Sequence, residues 1–260
     1  MRVELTLLLR IGVAVVIAPL VAAAASAQTP APRPAVPQIA RNHAAELACG
    51  ARTTTVQPSM TIRIAQGREH GKGLFGSADP IIVRAGTADG LRVGQEYFVR
   101  RVIQDRFTQA DTGGSRPLSI HTAGWVRIVQ VSDDAAVATI TRACDALQEG
   151  DYLEAFVLPL IPLPAAASAP DYTNPGHLVL GDDRRQMGAA GDMMVFNRGT
   201  DHGLRAGQRV TIFRHTASGT DPVIHIGEAI AMVVGSETTT LKIEKSTDAV
   251  YVGDLVAIHR

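Results

Sequence analysis

The sequence predicts an all-β chain: two tandem small β-barrel-like repeats, of OB or SH3 type in a loose sense, behind a signal peptide and a Pro-rich leader. Three observations carry that reading. Gly86–Arg101, "GTADGLRVGQEYFVRR", recurs as Gly199–Arg214, "GTDHGLRAGQRVTIFR", with eight of sixteen positions identical at an offset of 113. Both copies are dominated by short runs of branched and aromatic residues broken by Gly, Asp and Ser, the composition of strands and their turns. No convincing amphipathic helical period interrupts either copy.

The similarity extends to both sides of the shared stretch. Upstream, "DPIIVRAG" from Asp79 aligns with "DMMVFNRG" from Asp192 at the same offset. Downstream the offset becomes 103, matching Gly124 with Gly227, Val131 with Val234, Ile140 with Ile243, Asp145 with Asp248, and Gly150-Asp151 with Gly253-Asp254. The change falls between Arg101 and Gly124, so the first copy carries an extra-long loop over Val102–Ala123.

Strands are expected at Ile62–Ile64, Ile81–Val83, Glu96–Val102, Trp125–Val131, Ala135–Ile140 and Tyr152–Val157 in the first copy. The second copy offers Leu178–Leu180, Met193–Phe196, Val210–Arg214, Ile226–Val234, Thr239–Glu244 and Leu255–Ile258. Five or six strands in about 90 residues are too few for a large sandwich, but they can close into a barrel and so remove exposed edges. Gly90 and Gly203 would supply a left-handed turn, and Gly94 and Gly207 a second tight bend.

The remaining segments complete the division. Residues 1–27 read as a signal peptide: Arg2 and Arg10 precede the apolar run Ile11–Ala25, and Ala25-Ser26-Ala27 offers a cleavage site. Fifteen apolar residues interrupted by Gly12 and Pro19 fall short of the roughly 20 that span a bilayer. No second such run follows, so no transmembrane segment is expected after cleavage. Residues 28–50 form a Pro/Ala-rich leader with one short helix at Gln38–Cys49, 51–157 the first repeat, 158–174 a Pro/Ala-rich linker and 175–260 the second repeat. The linker "LPLIPLPAAASAP" is apolar as well as Pro-rich, which suits a segment lying along a barrel.

Basic and acidic side chains balance at 25 each, and arginine, which outnumbers lysine, is scattered. A neutral chain without basic clusters is not built for nucleic acid. Cys49 and Cys144 are the two cysteines, and in an oxidising compartment a single bridge between them is expected. Two buried free thiols are the alternative.

Candidate chemistry is sparse. "GKGLFG", Gly71–Gly76, fits a dinucleotide-binding spacing, but that motif needs a following helix, and Pro80 leads into a strand. Eight histidines show no metal-ligand spacing, so neither metal nor cofactor is expected. No G-x-S-x-G elbow is present. Asp145/Asp248 and Asp151/Asp254 recur beside turns, where Asp bonds backbone amides. Features present in only one copy are the better candidates for recognition. Trp125 stands where the second copy has Glu228, and the long loop beside it carries Arg106, Phe107 and Arg116. A largely buried role for Trp125 is the competing reading.

The pattern G-L-x-x-G-Q, an apolar strand, and a closing Gly-Asp flanked by apolar residues (Leu147 and Leu153, Val250 and Val256) resembles small β domains of exported bacterial envelope proteins, including domains found beside LysM modules. It is more distantly similar to the C-terminal domain of flagellar assembly protein T. The resemblance implies an envelope setting, periplasmic or extracellular, and a non-enzymatic binding or scaffold role with an envelope protein complex or peptidoglycan as partner. The alternative is a carbohydrate-binding protein or enzyme with a site between the two barrels. A pocket of converging polar groups would favour that alternative, and an exposed apolar patch an interaction module.

Overall fold

The computed structural model describes residues 38–67, 71–103, 118–181, 185–215 and 222–260. The expected signal peptide, the leader up to residue 37, and Arg106, Phe107 and Arg116 lie outside the described residues. Helix α1 (Gln38–Cys49) comes first. The first β-unit comprises β1 (Arg52–Thr54), β2 (Ile64–Gly67), β3 (Leu74–Phe75), β4 (Pro80–Val83), β5 (Glu96–Ile103), β6 (Leu118–Val131), β7 (Ala136–Ala143), β8 (Leu147–Gln148) and β9 (Tyr152–Ala155). The second comprises β10 (Pro170–Gly181), β11 (Met187–Gly188), β12 (Met193–Phe196), β13 (Arg209–His215), β14 (Val223–Val234), β15 (Thr239–Ser246), β16 (Val250–Tyr251) and β17 (Leu255–His259).

The second unit is a closed six-stranded barrel in the order β10-β12-β15-β14-β13-β17. The first unit has the matching order β2-β4-β7-β6-β5-β9, with β1 added beside β6. Its end strands meet through a bridge between Arg63 and Tyr152, backed by Ile64 N–H to Asp151 O at 2.9 Å and Leu153 N–H to Ile62 O at 2.8 Å. The curled sheet therefore leaves little unpaired edge between β2 and β9. Two small ribbons, β3 with β8 and β11 with β16, sit at equivalent places in the two units.

Alternation along each strand decides what fills the interiors. In β7, Ala136, Ala138 and Ile140 are buried while Val137 and Thr139 are less so. The first core gathers Ile64, Ile81, Val83, Leu91, Val99, Ile128, Ile140 and Leu153. The second gathers Leu178, Met194, Phe196, Leu204, Ile212, Ile243 and Val256. Each fully buried aliphatic or aromatic side chain contributes roughly 1.5–3 kcal/mol relative to exposure. Positions at the offsets read from the sequence, such as Val99 and Ile212 or Ile140 and Ile243, occupy corresponding core places.

The turn glycines behave alike. Gly94 and Gly207 both adopt positive φ, 88° and 84°, where a side chain is strained. Each donates its N–H to the equivalent carbonyl, Ile128 O at 2.8 Å and Ala231 O at 2.7 Å. "GKGLFG" leads through β3 to β4 with no helix, and Gly76 N–H donates to Asp79 Oδ2 at 2.8 Å.

The paired aspartates that close each repeat have a structural partner. Arg101 grips Asp151 through Nε–Oδ1 at 2.7 Å and Nη2–Oδ2 at 2.8 Å, and Nη2 also reaches Ala146 O. Arg214 grips Asp254 in the same way, at 2.5 and 2.7 Å, and also bonds Ala249 O. The same carboxylates accept from the backbone, Gln148 N–H in one unit and Tyr251 N–H in the other. A two-pronged guanidinium–carboxylate bond of this kind pins the hairpin before the last strand to β5 or β13.

Strand β2 is Ile64–Gly67 where Ile62–Ile64 is expected, β9 ends at Ala155 and not Val157, the short strands β1, β3, β8, β11 and β16 are not among those expected, and two further differences are larger. Strand β6 starts at Leu118, so the expected loop Val102–Ala123 is largely strand at both ends. Thr and Ser in "LSIHTA" read as loop, yet they pair with β1 and β5, which the local sequence does not announce. Strand β10 starts at Pro170, inside the stretch 158–174 assigned to the linker, and pairs Pro170 and Asp171 with β17. Proline is acceptable there because it begins the strand.

Candidate functional site

The segment α1–β1 touches both barrels. Cys49 and Cys144 form a disulfide with Cα atoms 5.7 Å apart, tying the end of α1 to the end of β7. Ala45 and Ala48 of α1 pack on Phe98 and Trp125 of the first barrel. Ala51 instead packs with Val179, Leu180 and Val195 of the second. Its carbonyl accepts a bond from Thr240 Oγ1 at 2.7 Å, and Thr53 Oγ1 donates to Thr238 Oγ1 at 2.7 Å.

Trp125 lies beneath α1 and is only 8% exposed. Its ring is 5.8 Å edge-on from Phe98 and 5.5 Å from Phe156, and Arg142 caps it at 5.4 Å. The small residues of α1 let the helix approach this aromatic layer closely, so the indole stands in the seam under the helix.

Next to that layer runs a polar row across three strands. Arg100 on β5 pairs with Thr122 on β6 and with Tyr152 on β9, and directly opposed residues share a sheet face. Arg100 is 4% exposed, with its guanidinium 4.6 Å from the Phe98 ring centroid. Its Nε and Nη1 have no hydrogen-bond partner, and neither do Thr122 Oγ1 or Tyr152 OH. Nη1 lies 3.4 Å from Glu154 Oε1, a charge contact without hydrogen-bond geometry. Strand β1 sets Arg52 opposite Ile120, two residues along β6 from Thr122 and on the same face. Burial first, and then the charge of Arg52, pulls the Arg100 guanidinium down to about 10. Burial likewise raises the Tyr152 hydroxyl, with the Glu154 charge adding to it. Arg100 remains cationic and Tyr152 neutral at physiological pH.

The corresponding row of the second barrel is Phe213 on β13, His225 on β14 and Leu255 on β17, with the same pairings. Tyr172 covers it, 5.0 Å edge-on to Phe213, and shares a 2.8 Å hydrogen bond with His225 Nε2. Nearby, His259 Nε2 bonds Thr211 Oγ1 at 2.8 Å. Burial, with Arg209 assisting, holds the His259 pKa below its ordinary value.

A groove of about 390 Å³ crosses the outer face of the second barrel, between Ile230, Met232, Lys242 and Glu244 and the strap residues Ile161, Pro162 and Pro164. A smaller pocket shares Ile161, Met232 and Lys242 with it and adds His43, Glu46 and Leu47 from α1, and Met193. The strap is fastened by Ala165 N–H to Gly207 O at 2.7 Å. It leaves Val157, Leu160 and Leu163 outward, 75%, 90% and 89% exposed. No aromatic side chain lines the groove. Glu244 is paired with Arg209 at 3.0 Å.

Of the expected recognition residues, Trp125 is under α1, and Arg106, Phe107 and Arg116 fall outside the described ones. Among the described residues no group of three His, Cys, Asp or Glu side chains converges, and no helix is long and apolar enough to cross a membrane. Arg100, Thr122, Tyr152 and the groove escaped sequence reasoning, although the copies differ at each position of the row: Phe213, His225 and Leu255 stand opposite. No protein-family model matches this chain, and no curated protein aligns with it significantly.

Proposed function

We propose that this is an exported, non-catalytic binding or scaffold protein of the bacterial cell envelope, working through contacts with a protein complex or the cell wall. The single observation that carries the reading is the apolar groove and its strap. Val157, Leu160 and Leu163 are solvent-facing beside a cleft floored by Ile230 and Met232, and exposed apolar surface of this kind marks interaction sites. Methionine suits such a floor because its unbranched side chain adapts to different partners.

Export is supported by the signal-peptide pattern of residues 1–27 and by the Cys49–Cys144 bridge, a cross-link characteristic of oxidising compartments. The envelope setting rests on the resemblance of both repeats to small β domains of envelope proteins. The groove is lined mainly by Ile161, Pro162, Pro164, Ile230 and Met232, with Lys242 and the Arg209-paired Glu244 as its charged side chains, a largely apolar lining that supports the binding role.

The test is retention of the purified protein on isolated sacculi and on detergent-solubilised envelope, beside a Leu160→Asp/Leu163→Asp double variant. Retention by one of the two materials, reduced at least tenfold in the variant, is the expected result. Retention by neither overturns the reading.

A further inference from the structure

We propose that the first barrel holds a small oxyanion, a phosphate or carboxylate group, on the row Thr122–Arg100–Tyr152, with Arg52 as a second cation on the same face. The inference does not rest on the adaptor reading and stands or falls separately.

Four observations converge on it. Arg100 is 4% exposed, yet two of its nitrogens have no hydrogen-bond partner, and the hydroxyls of Thr122 and Tyr152 beside it are buried in the same condition. Buried polar groups are nearly always satisfied, and a cluster of exceptions calls for a specific cause. Charge points the same way. Two arginines share the face, and the one carboxylate in contact with Arg100, Glu154, approaches to 3.4 Å without forming a hydrogen bond and is 40% exposed. Arg52 makes no ion pair or side-chain hydrogen bond among the described residues, so positive charge is in excess.

The second barrel supplies the control. With the same backbone pairings, its row is Phe213, His225 and Leu255, closed by Tyr172 with a satisfied hydroxyl–imidazole bond. Nothing in this barrel architecture requires a guanidinium at that position. Where the second barrel has Phe213 and Leu255, the first has a guanidinium and a hydroxyl without partners, and Thr122 adds a second such hydroxyl where His225 is bonded. A set of donors with excess positive charge, whose one neighbouring carboxylate makes no hydrogen bond to it, matches an oxyanion. The burial of Arg100 limits the bound group to a small one or to the terminal group of a larger molecule. Arg101, one residue further along β5, is committed to Asp151, so the two neighbouring arginines have separate tasks.

The experiment titrates the purified protein with inorganic phosphate in one arm and acetate in the other, at fixed ionic strength balanced with chloride. The readouts are the Arg100 Nε–Hε resonance and the thermal midpoint. A saturable change with either anion supports the site, and the arm that saturates distinguishes phosphate from carboxylate. Tyr152→Phe and Thr122→Val each remove one hydroxyl and should weaken binding by about tenfold, the scale of a hydrogen bond to a charged group. Arg100→Met should abolish the saturable midpoint shift, whereas Arg92→Met, an exposed position, should keep it. If Arg100→Met does not fold, the two hydroxyl variants still decide. No saturable change in either arm, or unchanged affinity in both hydroxyl variants, overturns the proposal and leaves the row to water.

Discussion

The two barrels are alike where the chain turns and where it packs, and unlike on their outer faces. Arg101–Asp151 and Arg214–Asp254 form the same grip, and the strand orders coincide. Outside, the first barrel carries Phe98, Trp125 and Phe156 under a disulfide-anchored helix, with the Arg100 row alongside. At the positions of Phe98, Arg100 and Phe156 the second barrel has Thr211, Phe213 and His259, partly covered by Tyr172. Inward positions must fill a close-packed interior of fixed size, so they tolerate little change. Outward positions answer only to whatever covers them, and in this molecule the covers differ.

The bridge should separate the barrels most strongly. Replacing Cys49 and Cys144 with Ser removes a cross-link spanning 95 positions, which the chain-entropy model values at about 4–5 kcal/mol. Urea unfolding followed by hydrogen exchange should show protection falling in the first barrel, with the second nearly unchanged. Equal losses in both would mean that they unfold as one unit. The arginine grips should come next and be matched. Arg101→Met and Arg214→Met each strand a buried aspartate, at about 3 kcal/mol. Equal shifts in denaturation midpoint sustain the equivalence, and a twofold disparity breaks it.

A glycine pair discriminates more finely. Gly94→Ala meets no heavy atom and should cost only the left-handed strain, about 1 kcal/mol. At Gly207 the added methyl would collide with the Leu163 carbonyl of the strap, so the cost should rise to about 2 kcal/mol as the strap's hydrogen bond is lost. Thermal melts of the two variants check the difference.

The smallest expected effect is one of pH. The folded pKa of His259 lies below its ordinary value of 6.5, so the unfolded chain binds the proton more readily. Its stabilising contribution is complete above 6.5 and is lost as pH falls through the depressed value. His202, also lowered chiefly by burial, acts in the same direction. His259→Phe, which installs the residue found at Phe156, should flatten the stability profile of the second barrel between pH 7 and 5. A profile as steep as that of the parent would assign the dependence elsewhere.

Much of the architecture was legible. Strand cores such as Ile81–Val83 and Met193–Phe196 stand out because branched residues alternate or run together between Gly and Asp breaks. The all-β class and the bridge follow from that pattern and from the presence of two cysteines in a chain read as exported. The full reach of β6 and β10 was hidden, because Leu118–Ala123 and Pro170–Pro175 become strand through partners distant in sequence. The Arg100 row was hidden for a related reason. Its residues sit on separate strands, and only the sheet register and the covering elements make a lone arginine into a buried one. Trp125 drew attention as a unique residue, but its surroundings depend on α1, which lies 76 or more positions earlier.

The place of α1 also orders events in time. Cys49 leaves the ribosome long before Cys144, and the surface that receives the helix is complete only when β9 has joined β5. Loops of this length close slowly. Among the described residues α1 is the first element synthesised, yet the surface it packs on draws on β5, β6 and the residues after β9, so its docking and the cross-link both wait for chain made about 95 positions later. Because the adjoining residues Ala51 and Thr53 then bond the second barrel, the two halves gain a shared fastening only after both are made.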